Sequence, residues 1–78
     1  MNIQDFIKNF SNEFDETPAE QIMPETKFRE LEEWSSLIAL SIIAFVDQEY
    51  DVRLTGDEIR KCETVNDIYA TVANKVGE

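Results

Sequence analysis

Apolar residues recur along this chain in helical rhythm, then stop, then resume. From Asn2 to Phe14, the residues Ile3, Phe6, Ile7, Phe10 and Phe14 return at spacings of three and four. That is one buried stripe of an amphipathic helix. From Asp15 to Glu33 the rhythm is lost: the segment holds Thr17-Pro18, Met23-Pro24, many acids and scattered apolar residues. Each proline disfavours helical backbone at the residue before it. The pattern predicts a loop of about 20 residues, unusual in a compact domain unless it is functional or anchored. Ile22, Phe28 and Leu31 are the expected anchors, with Lys27 and Arg29 facing water.

Helical spacing returns from Ser36 to Tyr50, a predicted helix of about 22 Å. Leu37, Leu40, Ile43 and Ala44 form one stripe, and Ile38, Ile42, Phe45 and Glu49 another. A helix so apolar is expected to be central, packed on most sides. Its least apolar strip, Leu37, Ser41, Ala44 and Gln48, is the candidate for solvent or a partner. Asp51-Val52-Arg53-Leu54 then alternates, burying Val52 and Leu54. Thr55 with Glu58 forms a capping box for a short helix over Gly56–Lys61, and Thr64 with Asp67 repeats the device. Val65, Ile68, Tyr69, Val72, Ala73 and Val76 share one face of the last helix, which Gly77 ends. The expected fold is all-α: three longer helices, one short helix, and a long loop between the first and second.

Length and composition bound what such a fold can do. With 78 residues and 42% hydrophobic content, the chain is expected to form one domain over residues 1–78 that folds without metal or disulfide. The single cysteine, Cys62, excludes an internal disulfide, suits a reducing compartment and reads as a small packed residue at a helix end. No apolar run approaches the roughly 20 residues that span a bilayer. MNIQDFIKNF lacks the basic and apolar regions of a signal peptide, so a cytoplasmic location without membrane insertion is expected.

Seventeen acids against seven bases give a net charge of −10. That disfavours nucleic acid, whose phosphates are bound largely through lysine and arginine. It favours basic protein partners. With no histidine, a Ser-His or Cys-His pair is excluded, and so is a histidine-ligated metal. There is no glycine-rich loop to cradle a nucleotide. The chain reads as a non-enzyme. Asp47, Glu49, Asp51, Leu54 and Glu58 fall at the spacing of a calcium loop. The sharp turn that glycine makes in such loops falls on β-branched Val52, so no metal is expected.

One stretch remains, EEWSSLIAL over residues 32–40. Ser35 suits the N-cap, which leaves Ser36 as the first helical residue with its hydroxyl free. A phosphate ester there would meet backbone amides that lack intrahelical partners. Read alone, two serines at a helix start are most simply two capping residues.

In context, Trp34-Ser35-Ser36-Leu37, placed after a first helix and a long loop, resembles the attachment motif of acyl carrier proteins. The family carries an Asp-Ser-Leu triplet there, often with Trp just ahead. Similarity extends over nearly the whole chain, including Phe45 to Leu54 and the Cys62-Glu63-Thr64-Val65-Asn66-Asp67-Ile68 entry to the last helix. The resemblance implies a four-helix acyl-carrier-like bundle, standing alone and monomeric. It implies that Ser36, flanked by Ser35 and Leu37, accepts 4'-phosphopantetheine covalently from coenzyme A through a magnesium-dependent phosphopantetheinyl transferase.

The arm would hold acyl or aminoacyl groups as thioesters for fatty acid, polyketide or related lipid-metabolic enzymes with basic docking patches. A short acyl chain is expected to shelter among Phe28, Leu54 and Ile59. Trp34 favours a specialised carrier over the housekeeping one. Two departures carry consequences. Ser35 replaces the family's Asp, which removes a carboxylate from transferase recognition and implies slow modification or a dedicated transferase. The exposed strip carries Ser41, Ala44 and Gln48 where the family has glutamates, which moves charge-driven docking to Asp47 and Asp51 at the helix exit. The alternative is an acidic helical protein-interaction module without a prosthetic group, in which Ser36 is only a cap.

Overall fold

Every α-helix of this protein starts at a side chain that closes its first turn. In the computed structural model, which describes residues 2–77, the helices are α1 (Ile3–Ser11), α2 (Ser36–Tyr50), α3 (Gly56–Lys61) and α4 (Val65–Val76). Asn2 accepts the Asp5 N–H at 2.9 Å. Ser35 accepts the Ile38 N–H at 3.3 Å. Both predicted capping boxes form: Thr55 with Glu58 and Thr64 with Asp67 exchange backbone and side-chain hydrogen bonds reciprocally. Among the described residues there is no strand, only an isolated bridge between Lys27 and Thr64. The fold is an all-α bundle of three longer helices and one short one. Among the described residues, no helix is long and apolar enough to cross a membrane.

The core gathers around Phe6. Its ring lies 5.5 Å from Tyr69, 5.7 Å from Phe45 and 6.0 Å from both Phe10 and Tyr50. These contacts join α1 to α2 and α4, while α3 closes on α2. Phe28, Ile42, Val46, Leu54, Val65, Ile68 and Val72 are fully buried around it. Val52 and Leu54 turn inward as expected, after α2 ends at Asp51 with φ 55°. Left-handed backbone is costly for most side chains and more tolerable for Asp, so this acid has a structural role as well as a charge.

Three expectations need correction. The first helix stops at Ser11 rather than Phe14, because the Glu13 and Phe14 amides tighten onto the carbonyls of Phe10 and Ser11. Phe14 still reaches the core, from a turn, against Phe10 at 5.5 Å. The long loop is not featureless: it holds two short 3-10 turns, Ala19–Gln21 and Phe28–Glu30. Ile22 and Phe28 anchor it in the core, with half-buried Leu31 packed against them. The Val65 and Asn66 amides donate to the Thr26 and Pro24 carbonyls, joining its second half to the start of α4. Lastly, Arg29 does not simply face water. Its guanidinium donates to the Ile59 and Cys62 carbonyls at the end of α3 and lies 5.0 Å from the Phe28 ring centre.

Because Phe6 touches four aromatic rings at zero exposure, Phe6→Ala leaves a cavity that no neighbour can fill. The expected cost is about 3–5 kcal/mol, most of the roughly 5 kcal/mol at the low end for a domain. Urea unfolding should find the midpoint of the variant moved strongly toward zero denaturant; a loss below about 1 kcal/mol would contradict this packing.

Candidate functional site

The start of α2 is assembled from both ends of the long loop. Glu33 stands three residues before Ser36, and its carboxylate accepts the N–H groups of Asp15, Glu16 and Thr17 at 2.7, 3.0 and 2.9 Å. The Thr17 hydroxyl adds a fourth bond at 2.8 Å. Partial desolvation pushes this carboxyl upward, and the four hydrogen bonds together outweigh it, so Glu33 titrates below the ordinary glutamate range. The loop between α1 and α2 is thus closed at its base by one side chain. Trp34 follows, half-buried, with its ring edge on Phe28 at 4.7 Å and Phe14 at 6.4 Å. Ser35 caps, and Ser36 opens the helix.

Ser36 is exposed, and its hydroxyl makes no hydrogen bond to another described residue. Of the first amides of α2, which have no intrahelical acceptor, Ser35 takes that of Ile38. Those of Ser36 and Leu37 remain for an outside acceptor. Beside Ser36 runs a cleft of about 510 Å³ between α2 and α3, lined by Trp34, Ala39, Leu40, Ile43 and Ile59 with Arg29 and Arg60. Of the residues expected to shelter a cargo, only Ile59 lines it. Phe28 and Leu54 are fully buried beneath, because the core consumes them.

The outward face of α2 also differs from expectation. Leu37 is 73% and Leu40 62% exposed. Ala44, Asp47 and Gln48 are exposed, whereas Ser41 is half-buried. The face is therefore turned by about half of a 100° helical step toward Leu40 and Asp47. Neighbouring helices decide which side is covered, and they cover Ile42, Phe45 and Val46. Two leucines and Ala44 form an apolar strip running from Ser36 toward Asp47. Periodicity assigned Leu40 to the core because its own stripe is apolar throughout.

At the far end of α2 the acids divide into paired and unpaired. Glu58 holds the Lys75 ammonium at 2.8 Å, and Asp57 pairs with Arg60. The lysine hydrogen bond, with the Thr55 amide behind it, lowers the Glu58 pKa. Asp47, Glu49 and Asp51 are exposed without a cation among the described residues. Asp47 and Glu49 are on helical backbone, incompatible with wrapping a calcium ion. Among the described residues no group of three or more potential ligands is arranged for a metal. Cys62 is buried as the C-cap of α3. Burial raises its thiol pKa, which does not suit a nucleophile.

A carboxylate whose pKa is depressed in the folded state contributes above the ordinary glutamate range and loses that contribution as pH falls through its folded pKa. On acidification, the amide resonances of Asp15, Glu16 and Thr17 should therefore move together, with one shared midpoint below the ordinary glutamate value. Glu33→Gln should remove that step. Independent midpoints at the three amides would contradict the tether.

No family model matches the chain, and no solved structure matches it significantly.

Proposed function

We propose that this protein is a carrier of thioester-bound intermediates, with Ser36 as the attachment point of a 4'-phosphopantetheine arm. The observation that carries this reading is the Ser36 hydroxyl: exposed, unengaged, first in α2, and opening on an apolar cleft. Its order in the chain, after Trp34 and before Leu37, resembles that of the acyl-carrier motif, with Ser35 in place of the family's Asp. The donor set suits a phosphodiester, since Ser36 opens the helix beside amides without intrahelical acceptors and shares the cleft with Arg29.

In modification, the Ser36 oxygen would form a bond to the pantetheine phosphorus of coenzyme A. The phosphoanhydride would break, adenosine bisphosphate would leave, and a magnesium-dependent transferase would take the serine proton. The arm's thiol would hold acyl groups, giving each a high effective concentration at successive enzymes. The chain itself contributes position and exposure, not catalysis. A monomer in the cytoplasm fits this role, with fatty acid, polyketide or related enzymes as partners.

The outer face of α2 would serve these partners. Leu37, Leu40 and Ala44 supply an apolar centre, Ser41 and Gln48 its edge, and unpaired Asp47 and Asp51 attract basic patches. The same strip also favours a second reading, a helical interaction module that never carries a group. Ser36 separates the two.

Incubation with coenzyme A, magnesium and a broad-specificity transferase should raise the intact mass by one phosphopantetheine, and Ser36→Ala should abolish the gain while leaving the helical spectrum intact. A folded wild-type chain that never gains mass sinks the carrier reading. Asp47→Lys combined with Asp51→Asn, which keeps a side chain tolerant of left-handed backbone, should weaken transferase binding several-fold at low salt and much less at high salt. Unchanged low-salt affinity would remove these acids from the docking surface.

A further inference from the structure

Arg29 differs from the protein's other cations in being held without being neutralised. The two ion pairs among the described residues are Arg60–Asp57 and Lys75–Glu58. Arg29 has no carboxylate partner there, in a chain of net charge −10. Instead two of its five N–H donors are spent on main-chain carbonyls of Ile59 and Cys62. The Phe28 ring lies under the guanidinium at 5.0 Å, and Phe28 in turn packs on Trp34 at 4.7 Å. Arg29 lines the α2–α3 cleft together with Trp34 and Ser36. Ile43, on the third turn of α2, and Gly56, at the start of α3, line it as well.

We propose that Arg29 binds the phosphodiester of an arm on Ser36, so that the first part of the arm lies in the α2–α3 cleft rather than free in solvent. This rests on the carrier reading above and adds a residue and a bound conformation to it. A phosphodiester is a permanent monoanion near neutral pH and offers two unesterified oxygens. Guanidinium is matched to that geometry by its planar fork. Because Arg29 is already ordered by α3 and Phe28, binding costs it little further side-chain entropy. Arg60 lines the same cleft but is neutralised by Asp57, so it provides an internal control. Beyond the anion, the apolar walls at Trp34, Leu40 and Ile43 suit the arm's carbon-rich portion.

The test uses the full chain, isotopically labelled and loaded with the arm, with loading followed by intact mass. In the loaded wild type, the Arg29 side-chain N–H resonances and the Trp34 indole N–H should shift relative to the unloaded chain. The phosphorus resonance should relax like a group tumbling with the protein. Arg29→Gln should return the phosphorus to fast local motion, Arg29→Lys should retain part of the immobilisation, and Arg60→Gln should leave it unchanged.

A purely structural role for Arg29 would make the lysine and glutamine variants alike, and that outcome overturns the proposal. Should Arg29→Gln fail to fold, the loaded wild type decides: raising salt should free the phosphorus while the amide shifts of α3 stay fixed, and a salt-independent relaxation overturns the proposal. A chain that does not load overturns both this inference and the carrier reading. A chain that loads with unchanged Arg29 and Trp34 signals overturns this one alone.

Discussion

The four hydrogen bonds gathered by the Glu33 carboxylate hold the structure's least regular part to its most exposed one. Between Ser11 and Ser36 the chain has no α-helix, and a segment of that length gains little from its own backbone. Closing it costs entropy that must be offset by fixed contacts. Ile22 and Phe28 supply burial at the middle, and the Thr26 and Pro24 carbonyls supply an attachment to α4. Neither holds the residues just before α2. Glu33 does, by binding three successive amides on the segment that leaves α1. The direction in which Trp34, Ser35 and Ser36 emerge is therefore set by this carboxylate together with the packing of Trp34 on Phe28, since the Ser35 cap at 3.3 Å is at the long end for such a bond.

Much of this was legible from residue pattern. The boundaries of α2 and α3 and both capping boxes follow from where Ser, Thr, Asp and Glu stand relative to apolar spacing, because capping is a local interaction. The Glu33 tether was not legible. It joins residues more than a dozen positions apart through backbone amides, and amides carry no sequence signature. Arg29 was missed for a related reason, since its partners are the Ile59 and Cys62 carbonyls. An acid or arginine inside a long polar segment looks solvated unless its distant partner is known.

The outward face of α2 failed differently. Hydrophobic periodicity finds a buried side by contrast, and α2 has little: leucine, isoleucine or alanine stands on almost every side. Burial is then decided by which neighbours arrive. Phe6 on α1 draws Phe45 inward, and Ile42 and Val46 follow it into the core. The strip opposite, with Leu37 and Leu40, is left uncovered. Exposed leucines on a small domain are costly to solubility. Here they continue the exposed surface that begins at Ser36.

Charge completes the division of labour along α2. At its exit, Asp47, Glu49 and Asp51 are left unpaired, while Asp57 and Glu58 are neutralised within the α3–α4 region. At its start, the Glu33 charge is occupied by amides and Arg29 is left without an anion. Unpaired charge of this kind acts over roughly a Debye length of 8–10 Å. At the start of α2, a cation and an exposed hydroxyl line one cleft. A helix arranged in this way carries its unpaired acids at one end and its exposed hydroxyl at the other.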